Sequence, residues 1–530
     1  MAGRPLKPIL RFRGLAYPPI MRCMRLICLA GVMLSAAAAQ ASRLTMEGFV
    51  TQANSPVNFS MGSQRVTISE DTVCDKFNTT SAIKIREITR YLIVMRRDFT
   101  LQIKTRGSVM QGVPCNQLHL TIGSMVRVSG DNGINTRSLH AKHVTLYQIQ
   151  FQQKFSDIRA PNVWKSAALL EEAPHLVSAK GSWSGTLWLD GFPMVISPGV
   201  YIFRAPEGTH TVYRPSGLFS SPRLRASSKK SVAMLLTENT FKPNIWASYH
   251  RMSIEEGPLR ISQLKLWPNF TSPEEERFQE SHSPALENLI SGALSDKASQ
   301  SYVSAIGESL VPSYQEELQT RDTTKIRFQF IIVKATQRSS LREPAGRGKL
   351  SLPMDTIADS VAIAYPNGTI LVADTAISRL TSEAQLAALL SDCITSVIQK
   401  HEYIANTSRT DSGFAGGSDI PDFSRYVMAL GFHEQTLRIG IRQMYLDGYD
   451  IREAPYAWAV AQGKRANNPI IDSKNPDKEI PWYTAYAFNY ISQYYGDIDY
   501  SKLKIGRKDY QRFLRNLKKS DPQAFVSKNN

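Results

Sequence analysis

Apolar and polar residues alternate over two long stretches of the first half of the chain, and that period of two predicts strands. In residues 46–68, MEGFVTQANSPVNFSMGSQRVTI, the alternation is broken by Ser-Pro and Gly-Ser, as turns between short strands require. It returns in residues 120–149, LTIGSMVRVSGDNGINTRSLHAKHVTLYQI, so residues 42–150 read as one small β domain. A fainter copy follows: residues 179–202 echo the opening of the first and residues 244–268 echo its close, which places a second β domain at 175–268. Residues 151–174 read as the linker between them. The acidic, proline-punctuated segment 267–284 reads as the next boundary.

From residue 285 the apolar period lengthens to that of a helix. Residues 301–318 predict a helix and 325–336 a strand. Residues 360–401 predict a strand, a turn at Pro366–Gly368, a second strand and a long helix capped by Thr381 or Ser382, with Glu383 in its first turn. Residues 285–503 therefore form an α+β domain, and 504–530 read as a basic, poorly apolar tail.

Two resemblances sharpen this outline. Gly48 and Val50, then Gly123, Val126, Val128 and Gly130, then Ala141 and Val144 fall where the OB-like domains of bacterial exported proteins carry G-x-V, G-x-x-V-x-V-x-G and A-x-x-V. The first β domain, and its copy, thus resemble OB-like barrels. In the second half, Ala362, Ala364, Pro366, Gly368, Ile370 and Val372 match a strand and turn of the type N-A-F-A-L-P-G-G-x-I-x-V. Ser382, Glu383, Ala384, Leu386, Ala387, Ala388, Leu390, Val397 and His401 match a helix of the type S-E-A-E-L-A-A-V-L-A-H-E-x-G-H-V-x-x-R-H. Arg438, Gly440, Gly448, Tyr449 and Asp450 match E-A-D-R-x-G followed by A-G-Y-D-P. The second half is similar to the HtpX and CaaX-prenyl-protease family of zinc metallopeptidases. That resemblance implies a zincin-like fold, with a substrate strand pairing along Ala362, Ile363 and Ala364.

The departures fall on the chemistry. Such a site needs two histidines one helical turn apart, a glutamate beside the first as general base, and an acidic ligand from the next helix. At those positions stand Asp392, Ser396, Cys393 and Gln435, and the aspartate of E-A-D-R is Leu437. A serine hydroxyl and a neutral amide are poor zinc ligands, and a thiol does not replace the carboxylate base. The two His-Glu pairs at His401 and His433 place Ala405 and Leu437 where a second histidine would have to be. His401 takes a structural role in this reading and His433 a helix-surface one. Cys393 and His401 are eight positions apart, roughly 12 Å along a helix, too far for a cysteine–histidine dyad. The expectation is a non-catalytic metallopeptidase-like protein with no bound zinc, whose partner is a protein or peptide. Two alternatives stay open: a hydrolase with an unusual site, such as one built from Asp392, Cys393, His433 and Glu434, or a purely structural envelope component. The Gly- and Ser-rich segment 408–419 lies between the two key helices and reads as a loop that shapes access to the cleft.

Length and composition fit this outline. A chain of 530 residues suggests about three domains. With 42% hydrophobic and 21% charged residues the composition is that of a globular protein. The formal charge of +17 is partly a leader effect, since Arg4, Lys7, Arg11, Arg13, Arg22 and Arg25 all precede the first acid, Glu47. Residues 1–41 have the parts of an export signal: Arg22 and Arg25, an apolar run over 26–39, and Ala39-Gln40-Ala41 as a cleavage site. The n-region is long, and Met21 or Met24 is an alternative start. The apolar run is shorter than the ~20 residues that span a bilayer. The predicted location is periplasmic or secreted. An oxidising compartment favours a bridge between Cys74 and Cys115 in the first β domain. Basic and aromatic residues such as Arg204, Tyr213 and Arg214 sit in the second β domain, but export argues against nucleic acid as a partner. The remaining positive charge suits peripheral contact with an anionic envelope surface.

Overall fold

The computed structural model describes residues 43–55, 57–85, 99–110, 112–132, 138–150, 167–170, 175–179, 182–204, 244–251, 259–335, 361–404, 420–463 and 480–526. The leader, Tyr213, Arg214 and the segment 408–419 lie outside the described residues. The fold is mixed α+β.

The first sheet contains β1 (Arg43–Phe49), β2 (Gln52–Ser55), β3 (Asn58–Met61), β4 (Gln64–Ile85), β5 (Phe99–Met110), β6 (Met125–Asn132) and β7 (Ser138–Gln150), with the path β1-β6-β7-β4-β3-β2 and β5 beside β4. The long strand β4 pairs with β3 through its start and with β5 through its end, which lets the sheet curl. Alternate residues such as Phe59 and Met61, or Val126 and Val128, fill its inner face together with Leu139 and Val144. Cys74 belongs to that core and is disulfide-bonded to Cys115, with Cα atoms 5.3 Å apart.

The second sheet contains β8 (Ala167–Leu169), β9 (His175–Ala179), β10 (Ser182–Leu189), β11 (Phe192–Arg204), β12 (Ile245–Arg251) and β13 (Leu259–Pro268) in the order β8-β12-β13-β11-β10-β9. Along that path it repeats the first sheet strand for strand. In each, one central pair is parallel, β7 with β4 and β13 with β11, and the neighbours are antiparallel. The copies differ at one turn. Gly62 and Ser63, between β3 and β4, are exposed, whereas Asp190 and Gly191, between β10 and β11, are buried.

The helical part holds α1 (Pro273–Ser281), α2 (Ser283–Ile290), α3 (Lys297–Ser309) and α4 (Ser313–Glu317). The single helix expected over 301–318 is divided at Pro312, whose ring cannot continue an α-helix. A three-stranded sheet follows, made of β14 (Gln329–Val333), β15 (Ala362–Ala364) and β16 (Thr369–Ala373) in the order β14-β16-β15. Gly368, at φ 96°, makes the turn between the last two. Then come α5 (Asp374–Arg379), α6 (Glu383–Ile398), α7 (Ile420–Leu446), α8 (Ala454–Ala461), the short strand β17 (Ile480–Pro481), α9 (Trp482–Tyr494) and α10 (Arg507–Ser520).

Helix α6 is the axis of this part. Ser382 caps it by accepting from the Gln385 amide at 3.2 Å. Every residue except Ser396 is buried, so the polar ones, Glu383, Gln385, Ser391, Asp392 and Thr395, need partners within the protein. Glu383 in its first turn accepts hydrogen bonds from Tyr302 (2.7 Å) and Tyr449 (2.8 Å) and pairs with Lys504, tying three distant segments to the helix start. The helix ends at Ile398, and Lys400 just beyond it adopts φ 54°, so His401 opens a new helical turn rather than extending α6.

One apolar cluster joins the second sheet, the third sheet and the helices. The first sheet reaches it through Phe49, stacked on Phe488 at 4.6 Å, and through β17, which pairs with β5. Residues 504–530, basic and poor in apolar residues overall, include α10, which buries Tyr510, Phe513 and Leu517. Among the described residues no helix is long and apolar enough to cross a membrane.

Candidate functional site

Helices α6 and α7 lie against one another because α7 carries glycine at the contact. A Cβ on Gly440 would stand 2.9 Å from Asp392 Oδ1 and 3.0 Å from Ser391 Oγ, so a larger residue would displace these side chains. Asp392, Cys393 and Gln435 are buried and Ser396 is half-buried.

Asp392 is 1% exposed. Its Oδ2 accepts from Trp458 Nε1 at 2.6 Å and from Tyr483 Oη at 2.8 Å, donors supplied by α8 and α9. Two donors converging on one carboxylate oxygen stabilise a buried acid. They also present N–H and O–H to the place where a metal facing that oxygen would lie. Cys393 is fully buried and is not disulfide-bonded. Ser396 borders a polar cavity of about 70 Å³ that is also lined by Ala364, Asn367, Glu275 and Lys400. Lys400 pairs with Glu275 at 2.9 Å and donates to the Phe270 carbonyl at 2.9 Å. Burial pulls the Lys400 pKa down and pushes that of Glu275 up, and the ion pair opposes both shifts.

Gln435, on α7, links two residues that sequence reasoning does not bring together. Its Nε2 donates to Asp190 Oδ1 at 2.7 Å, and its Oε1 lies 2.6 Å from His401 Nε2. A carboxylate only accepts, which fixes the amide orientation and makes His401 the donor through Nε2. The His401 ring stacks on Phe432, with centroids 4.3 Å apart.

Asp190 comes from the second sheet. It and Gly191, at φ 60° and 74°, form the two-residue turn between β10 and β11, a geometry that Asp-Gly favours. The turn enters the helical layer. Arg438 Nε donates to the Asp190 carbonyl at 2.8 Å and its Nη2 to Asp190 Oδ1 at 2.7 Å, with side chains 6% and 1% exposed. Arg438 Nη1 donates to Tyr486 Oη at 2.6 Å, and the guanidinium lies 4.4 Å from the centroid of the Phe192 ring. Tyr490 donates to the Gly191 carbonyl. A Cβ on Gly191 would sit 2.4 Å from Arg438 Cβ, so only glycine allows this approach. Beside the turn, a cavity of about 270 Å³ is lined by Trp188, Arg442, Ser309 and Leu446, and the Arg442 guanidinium lies 4.0 Å from the Trp188 ring centroid.

These residues do not fit zinc. Oδ2 of Asp392 is taken by two donors, and both ends of the Gln435 amide are used. The other acid of α6, Glu383, lies nine positions before Asp392 and is committed to Tyr302, Tyr449 and Lys504. Among the described residues no group of three or more His, Cys, Asp or Glu is placed to hold a metal ion. His433, expected on a helix surface, is only 4% exposed, because this stretch of α7 is covered by α6 on one side and by the turn and α9 on others. Ala362, Ile363 and Ala364 form the terminal strand of their sheet and are 1%, 1% and 5% exposed.

The network's central residues, Asp190, Trp458 and Tyr483, carry no spacing that links them to Asp392 or Gln435. The only signal is Asp190-Gly191 between apolar runs, which marks a hairpin without saying where its tip goes. No protein-family model matches the chain, and no curated protein matches it in sequence.

Proposed function

We propose that this chain is a non-catalytic, metallopeptidase-like protein of the cell envelope that acts by binding a protein or peptide partner. The motif correspondence around Ser382–Glu383 and Arg438–Gly440 supports the zincin-like reading, and the repeated strand order of the first two sheets supports OB-like domains before it. One observation supports the loss of chemistry: the chain's own turn is seated against α7, with the Asp190 carboxylate bonded to Gln435 and Arg438. A hydrolytic site needs an open position for water and substrate, and here the Gln435 side chain, at the position of the third ligand, is taken up by Asp190 and His401.

In this reading β15 remains the strand to which a partner strand adds, and the burial of Ala362, Ile363 and Ala364 requires covering chain to move aside first. The test is a peptide-cleavage assay on the purified chain with added zinc and with a chelator. No turnover under either condition is expected. Turnover that zinc restores and the chelator abolishes would refute the reading.

A further inference from the structure

The surface of α10 carries the most one-sided charge on a described helix. Its buried residues Tyr510, Phe513 and Leu517 hold it to the core, with Phe513 stacked on Tyr302 at 4.4 Å and Tyr510 donating to the Ile377 carbonyl at 2.7 Å. At about 100° per residue, Lys508, Arg512, Arg515 and Lys519 fall within a sector of about 60° opposite that buried face. All four are exposed. They run about 16 Å along the helix at 1.5 Å per residue. The sector contains no acid. Asp509, on its flank, reaches Arg512 only at 3.7 Å, and the Arg512 side chain is 73% exposed.

We propose that this stripe is a docking surface for an anionic phospholipid headgroup layer. Charge complementarity selects an anionic partner. The shape selects a flat one, because the cations stand on the outer side of a straight helix and not in a groove. No aromatic residue lies in the sector to stack on bases, which disfavours single-stranded nucleic acid. No large apolar residue lies there either, so the helix rests on headgroups without entering the acyl region. The helix is anchored before it binds, so little ordering entropy opposes contact. This inference stands apart from the reading of the helix pair.

The test is co-sedimentation of the full chain with vesicles of phosphatidylglycerol and phosphatidylcholine, compared with phosphatidylcholine alone. Taking the difference cancels any binding through the apolar run at residues 26–39. Each cation near an anionic surface is worth about a fivefold change in binding. Replacing Lys508, Arg512, Arg515 and Lys519 together by Gln should weaken the anionic-specific component roughly a hundredfold or more. Raising salt from about 0.1 M to about 1 M, which shortens the screening length from about 10 Å to about 3 Å, should have a similar effect. The control replaces four exposed cations elsewhere, Arg65, Lys142, Arg277 and Arg321, by Gln. Unchanged binding by the stripe variant, or equal loss in the control, would overturn the proposal. So would stripe-dependent binding to a soluble polyanion such as heparin with none to vesicles.

Discussion

Arg438 carries the densest set of polar contacts in the helix pair, and its charge is answered inside the protein. With its side chain 6% exposed and that of Asp190 1% exposed, removing one partner takes away the opposite charge that faces the other in the buried pair. Arg438→Met should therefore lower stability by about 3–5 kcal/mol. The double variant Asp190→Ala/Arg438→Met should recover part of that loss, because the Asp190 charge is removed together with its partner, although Glu434, 3.9 Å from Arg438, still loses a cation. Urea denaturation of the single and double variants reads both effects. Asp374 gives a second residue-scale test. Burial, and then the neighbouring Asp521 carboxyl, push its pKa up from 3.8 to about 6. The folded chain thus holds this proton more tightly than the unfolded chain does. The stability this contributes is complete below about pH 4 and is lost as the pH rises through about 6. Asp374→Asn cannot ionise, so its melting temperature relative to the parent should rise between pH 5 and pH 7.5. A constant offset across that range would contradict the assignment.

At the scale of elements, the β10–β11 turn is the feature that sets the site. Gly191 and Gly112 have similar positive φ, 74° and 67°, but a Cβ on Gly112 would meet nothing within 4 Å. Alanine at either position carries backbone strain of order 1–3 kcal/mol. Only Gly191→Ala also forces the turn off α7, adding roughly 1–3 kcal/mol of overpacking. Equal losses in the two variants would show that the turn is not tightly seated. In the first sheet, the Cys74–Cys115 bridge spans 41 residues of sequence, and closing such a loop is worth about 4 kcal/mol in the chain-entropy treatment. Reduction should lower the unfolding midpoint accordingly. Elements with strong local signals are legible from sequence. The apolar run and Ser382 cap announce α6, and Pro366–Gly368 announces the turn between β15 and β16. The end of α6 is not legible, because Lys400 takes a left-handed conformation that its side chain does not signal.

Across the whole molecule, the contacts that build the layer around α7 are long-range, and sequence pattern does not encode them. Asp190 meets Gln435 across 245 positions, and Asp392 meets Tyr483 across 91. Likewise β17 joins the first sheet at β5 from a distant part of the chain, which no local period announces. The α+β class is legible because the apolar period changes near residue 285, whereas the seating of the second-sheet turn against α7 depends on how separate segments pack. The central claim is that the Asp392–Gln435 layer is closed and holds no metal, and zinc content tests it most directly. The purified chain would be incubated with zinc, freed of excess by gel filtration and analysed by elemental mass spectrometry beside Asp392→Asn. The account predicts far less than stoichiometric zinc, unchanged by the substitution; stoichiometric zinc in the parent that Asp392→Asn abolishes would contradict it.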